Sequence, residues 1–213
     1  LSVAGSPHTF YARVTNSDNC YEDATLTITI YAQPVASDAT DFFCDADQSD
    51  TTLSGYDAEV GNGDAVVWYS DAGRTAGNEI TTTGELSVAG SPHTFYARVT
   101  NSDTCFEDAE LVITIYQTPS ITVTDPAIAC EGFTIDITGA ATGCGTGFTT
   151  TYWEDDLATI PFVGDPTNIS SSGTYYIKCT NDLSLDCYDI KPVVVTIDPC
   201  IDNCETAFGV QTY

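Results

Sequence analysis

The chain has 213 residues, 42% of them hydrophobic, with 5 Lys and Arg against 31 Asp and Glu for a formal charge of −26. That apolar content is too high for a disordered acidic tail, so the chain is expected to fold and to stay very soluble. A negative field of this size repels nucleic-acid phosphates and anionic lipid heads, making both poor partners unless cations mediate. Divalent and polycationic partners stay open.

The chain opens with "LSVAGSPHTFYARVTNSD" at 1–18, and the same eighteen residues return at 86–103. Extended to 1–34 and 86–119, the copies differ only at positions 19, 21, 25, 27, 32 and 33, so 28 of 34 positions match at an offset of 85 residues. A fixed period of this kind marks a repeat architecture in which each unit is one module. A third, diverged copy is visible where "TFYARVTNSDTCFEDAELVITI" (94–115) aligns with "TYYIKCTNDLSLDCYDIKPVVVTI" (174–197), and "VVWYSDAG" (66–73) with "TYWEDDLA" (151–158). The expected organisation is the C-terminal part of a module at 1–33, whole modules at 34–118 and 119–198, and the start of a following module or linker at 199–213. Leu1 then falls in mid-module, so the sequence reads as a window on a longer chain. It holds no initiator Met, signal peptide or run of about twenty apolar residues, and no direct membrane insertion is expected in this segment.

Taken in chain order, each module reads as strands. In "TFYARVT" (94–100) Phe95, Ala97 and Val99 fall on one face and Tyr96, Arg98 and Thr100 on the other. "ELVITIY" (110–116) alternates in the same way, which is the period of a half-buried strand. Between strands, "GNGD" (61–64), "DAGRTAGN" (71–78), "TTTGE" (81–85) and "VAGSPH" (88–93) supply the residues tight turns need. No helix of three turns is expected. Short strands with one Trp near mid-module, Trp68 and Trp153, point to an all-β fold of tandem immunoglobulin-like β-sandwich modules.

The nine cysteines follow the module phase. Cys44 and Cys105 take two places in the second module, and Cys130 and Cys187 take the same places in the third, so each pair is expected to staple its own sandwich. Cys20 is the equivalent of Cys105, with its partner expected ahead of Leu1. Cys144 and Cys179 are extra to the third module, Cys179 taking the inward place of Val99. Cys200 and Cys204 pair with each other or with residues downstream. Such a framework implies an oxidising, extracellular location, with wide spacing and only two histidines disfavouring metal ligation.

Chemistry-bearing motifs are few. His8 and His93 are one turn residue in two copies of "SPHTF", and no nucleophile elbow or metalloprotease helix accompanies them. "GCGTG" (143–147) lacks the following helix a phosphate loop needs, and "WEDD" (153–156) reads as a solvated strand end. No catalytic residue and no organic cofactor is expected. In "DATDFFCDADQSD" (38–50), Asp45, Asp47 and Asp50 have calcium-loop spacing, but Asp50 stands where an EF-hand needs Gly and Tyr56 where it needs Glu. An EF-hand is excluded; a looser calcium site and plain solubilising charge are both left open. Tyr69, Tyr96, Trp153 and Tyr176 are candidate contacts for a saccharide or protein, against ordinary sandwich packing.

The array of modules carrying Cys, "WYS" and "FYARVTNSDTC", Met-free and acidic, resembles the repeat regions of very large surface adhesins that gliding bacteria export through the type IX secretion system, the gliding motility adhesin among them. The resemblance covers nearly all of 1–198, and "IDPCIDNCETAFG" (197–209) looks like a segment that follows such arrays. "DTT" (50–52) resembles the O-glycosylation motif of that group, with Thr51 as acceptor; "NIS" (168–170) has the form of an N-linked site. The resemblance implies a non-catalytic stalk attached to the outer membrane through other regions, with neighbouring repeats and a surface polysaccharide or protein as partners. A carbohydrate- or protein-binding module, and an accessory region of a secreted enzyme, are the alternatives.

Overall fold

The computed structural model describes residues 1–45 and 50–199. Among these residues fourteen strands follow in chain order. They are β1 (His8–Thr15), β2 (Tyr21–Ile28), β3 (Ala39–Cys44), β4 (Ala65–Tyr69), β5 (Glu79–Ile80), β6 (His93–Thr100), β7 (Phe106–Tyr116), β8 (Thr122–Val123), β9 (Ala129–Cys130), β10 (Ala141–Thr142), β11 (Phe148–Trp153), β12 (Gly173–Asn181), β13 (Ser184–Val195) and β14 (Ile197–Asp198). The helical content among the described residues is a 3-10 turn, Leu53–Tyr56, running into the five-residue α1 (Asp57–Gly61). The chain divides into two units, Leu1–Phe43 with Gln48–Ile115, and Cys44–Asp47 with Tyr116–Tyr213, of which residues 46–49 and 200–213 lie outside the described ones.

The first unit contains a five-stranded sheet in the order β3-β7-β6-β4-β5 and a separate hairpin of β1 and β2. The alternation in β6 places Phe95, Ala97 and Val99 inside, and β7 answers with Ala109, Leu111, Ile113 and Ile115. Leu53 and Val60, carried by the two helical turns, cover that face together with Trp68. Burying each such side chain stabilises by about 1.5–3 kcal/mol. Polar ends are matched where they go under: Trp68 Nε1 donates to Asp57 Oδ1 at 2.8 Å, and Tyr56 donates its hydroxyl to Asp41 at 2.6 Å. Burial, reinforced by that bond, pushes the Tyr56 phenol well above its ordinary pKa, so it remains the donor.

One cation organises the back of this sheet. Arg74 sits in the "DAGRTAGN" turn in the left-handed region, with φ of 49°. Its guanidinium donates to the carbonyls of Ala97, Ala109 and Ala72 at 3.0, 3.0 and 2.9 Å and lies 3.4 Å from Asp108. It is held over the Tyr96 ring and is almost covered.

The second unit sets the antiparallel sheet β11-β12-β13 against short pieces of strand, β8 with β10 and the bridge from Ile135 to Ile169. Ile177 and Cys179 from β12 and Val193 and Val195 from β13 meet Ile121, Ile135, Ile137 and Ile169 in one core. Cys144, just past β10, is bonded to the fully buried Cys179 and staples the two layers. Gly143 takes φ of 100°, and a Cβ there would strike the Ser120 carbonyl, so "GCGTG" serves close strand approach. All-β tandem modules of sandwich type, stapled by disulfide, are what the residues build.

The cysteine pairing differs from the expectation. Cys44 is bonded to Cys187 across 143 residues of sequence, both within the second unit, while Cys105 and Cys20 are free thiols. The reason is strand direction. Glu110 N–H donates to Asp38 and Asp45 N–H to the Tyr116 carbonyl, so β3 runs in the same direction as β7. Cys44 therefore stands at the far end of β7 from Cys105, ten residues or about 33 Å away along the strand, against the ~7 Å Cα separation that a disulfide tolerates. Cys130 is disulfide-bonded, but not to Cys187. Cys200 and Cys204 lie outside the described residues.

Candidate functional site

The carboxylates with calcium-loop spacing serve the backbone where they are described. Asp45 accepts the Thr118 N–H at 2.7 Å, and Asp50 accepts the Gly84 N–H at 2.8 Å. The two belong to different units, and Asp47 lies outside the described residues. Among the described residues no three His, Cys, Asp or Glu side chains gather to hold a metal ion. Thr51 is half-buried, its N–H donating to Thr83 Oγ1 at 3.1 Å.

The other motifs are engaged in turns. His8 and His93 donate from Nε2 to the Ser2 and Ser87 carbonyls at 2.7 and 2.8 Å, the same bond in both copies. In "WEDD", Asp155 accepts the N–H groups of Thr159 and Ile160 and the Thr159 hydroxyl. Asp71 does the same for Thr75. The Thr75 hydroxyl, seconded by Asn78, holds the Asp71 carboxyl below its ordinary pKa. These turns match Asp71 to Asp155, one place off the Asp71–Asp156 pairing that aligning the tryptophans gives.

Of the four candidate aromatics, two pairs meet across strands: Tyr69 lies opposite Tyr96, and Trp153 opposite Tyr176. Tyr69 is buried and Tyr96 carries Arg74, so the first pair is sheet packing. Trp153 is half-buried and borders a cleft of about 400 Å³ with Thr149, Lys178, Asp182 and Leu185. Its Nε1 donates to Thr151 Oγ1 at 2.8 Å, fixing the ring. Lys178 Nζ stands 5.8 Å from the Trp153 ring and 3.7 Å from that of Tyr188, and Thr149 donates its hydroxyl to Asp182 at 2.6 Å. An aromatic face beside hydroxyls, one ammonium and one carboxylate suits a polyhydroxylated ligand. Lys178 and the Thr149–Asp182 pair were not singled out by sequence, because they gather only when β11 and β12 align.

The hairpin β1–β2 is the second exposed surface. Arg13 pairs with Asp23 across the strands at 2.7 Å and lies 3.9 Å over the Tyr21 ring. Arg98, Asp108 and Phe106 repeat the arrangement in β6 and β7, the ion pair at 2.9 Å and the ring at 4.1 Å. The face behind Arg13 is bare: Phe10 is 45% exposed, against 8% for Phe95.

No protein-family model matches the chain, and no curated protein does. Among solved structures it is similar to extracellular domains 3–5 of Drosophila OTK, with 13% identity and a TM-score of 0.43 over 92% of this chain and 72% of that one. Immunoglobulin domains 1–4 of Sidekick-1 align at 13% identity and a TM-score of 0.38, covering 92% and 59% of the two chains. An I-band fragment of titin aligns at 8% identity and 0.37, covering 78% and 64%.

Proposed function

We propose that the chain is a non-catalytic structural and adhesive repeat segment of a long extracellular filament or stalk at a cell surface. The observation that carries this reading is that one hairpin is built twice. β1–β2 and β6–β7 share register, the cross-strand Arg–Asp pair and the histidine bond to a serine carbonyl. Repeating a part with 28 of 34 positions unchanged serves length, and the disulfides suit an oxidising exterior. Modules at 34–118 and 119–198, a module part at 1–33, and prolines at the junctions "YAQPV" and "YQTPS" make a semi-rigid chain. Type IX export and a role in gliding attachment are the finer form of the proposal. Fab fragments against "SPHTFYARVTNSD" should label intact cells and reduce their attachment; labelling only after the cells are broken open would overturn it.

The Trp153 cleft favours a second reading, a saccharide as the adhesion target. Titrating neutral and acidic oligosaccharides while following tryptophan emission tests it. Saturable quenching lost in Trp153→Ala supports the cleft, and an unchanged spectrum with every sugar removes it.

A further inference from the structure

The apolar residues left bare in β1 are those that build the core in β6. Phe95 and Ala97 pack with Leu53, Val60 and Trp68 in one core and Val99 is fully buried, whereas at the equivalent places Phe10 is 45% exposed, Val14 is 68% exposed and Ala12 is exposed. On the neighbouring strands Leu26 is 59% exposed and Leu111 is fully buried. The strand edge differs too. β6 pairs with β4 through Val66–Val99, Trp68–Ala97 and Tyr69–Tyr96, whereas β1 pairs only with β2 among the described residues. The cover in the second copy, Ala39, Leu53, Val60 and Trp68, comes from residues 34–85.

We propose that the β1–β2 face is an acceptor for a polypeptide segment of the 34–85 kind, which adds a strand along Tyr11–Thr15 and buries Phe10, Val14 and Leu26. The inference rests on reading 1–33 as part of a module. Its occupant is defined by the repeat: a strand aligning the counterpart of Val66 with Val14 and that of Trp68 with Ala12, plus a helical turn delivering the counterparts of Leu53 and Val60. An edge strand and a bare apolar face offered together call for a partner that supplies both a strand and a covering layer.

The test joins a second copy of residues 34–85 ahead of Leu1, where the new Glu85–Leu1 junction repeats the native Glu85–Leu86 sequence. Amide exchange is followed by NMR, because the two eighteen-residue copies have the same mass. The amides of Tyr11–Thr15 should slow by at least about a hundredfold, toward those of Tyr96–Thr100, and Val14→Asp in the extended chain should abolish the gain while β6 stays protected. Exchange as fast as in the unextended chain, or protection that survives Val14→Asp, overturns the proposal. So does protection in the unextended chain that rises with concentration, since the face would then belong to a second copy. None of these results depends on the size or location of the native polypeptide, so the stalk reading is tested separately.

Discussion

Val14 and Val99 hold the same place in the same eight-residue strand, each opposite a glutamate, Glu22 and Glu107, yet Val14 is 68% exposed and Val99 is fully buried. Identical local sequence has produced identical local structure, and only the cover differs. Strand formation here is therefore a property of the hairpin, while core formation is a property of the module.

The first consequence is energetic. Val99→Ala should destabilise the first unit by about 1.5–3 kcal/mol, through lost burial and the cavity left behind. Val14→Ala should fall within about 0.5 kcal/mol of the parent. Urea denaturation followed by Trp68 fluorescence checks both, and equal effects would contradict the difference in cover.

Arg74 should matter more than the other arginines. Removing its guanidinium withdraws three donors from strand and turn carbonyls in a nearly covered place, so Arg74→Ala should cost about 2–4 kcal/mol. Arg74→Lys should recover little, since one ammonium cannot reproduce the planar fork. Arg98→Ala, at an accessible pair, should cost at most about 1 kcal/mol. Thermal melting of the three variants would show the order, and a full rescue by lysine would contradict it.

Acid should weaken the first unit through Asp108. Its hydrogen bond with Arg98, aided by the charge of Arg74, holds the carboxyl below its ordinary pKa against the opposing effect of burial. A group depressed on folding contributes stability that is present above the unfolded pKa of about 3.9 and is lost as pH falls through the folded value. Asp108→Asn should therefore be less stable than the parent at neutral pH and lose less between about pH 4 and pH 2. Parallel denaturation curves at pH 7 and pH 3 measure this; a variant with the parent's full acid sensitivity would contradict it.

The cysteine framework is open to direct mapping. Without reductant, iodoacetamide should modify Cys20 and Cys105 and spare Cys44, Cys144, Cys179 and Cys187. Proteolysis should release Cys44–Cys187 and Cys144–Cys179 linked peptides. Breaking the second by Cys144→Ala should cost about 3–4 kcal/mol on the chain-entropy model. A Cys44–Cys105 peptide would contradict the parallel course of β3 and β7.

Much of this was legible in the residues. Alternation in "TFYARVT" names the inward face of β6, and the third copy's alignment places Cys179 in the core at the position of Val99. Pairing was not legible, because the module phase shows which cysteines are equivalent but not that β3 lies parallel to β7. The one-residue offset between Asp71 and Asp155 is set by turn geometry that the tryptophan alignment cannot see. Arg74 stands out in sequence only as one of five cations, and its three carbonyl partners are 2, 23 and 35 residues away. The Trp153 cleft gathers groups from three strands, β11, β12 and β13, whose register the pattern leaves unspecified.

The most direct test of the stalk is the size and location of the native polypeptide, measured with an antibody to "SPHTFYARVTNSD" on denatured cell-surface and culture fractions. The account predicts a surface-attached band of several hundred kilodaltons. A soluble species near the mass of these 213 residues would contradict it.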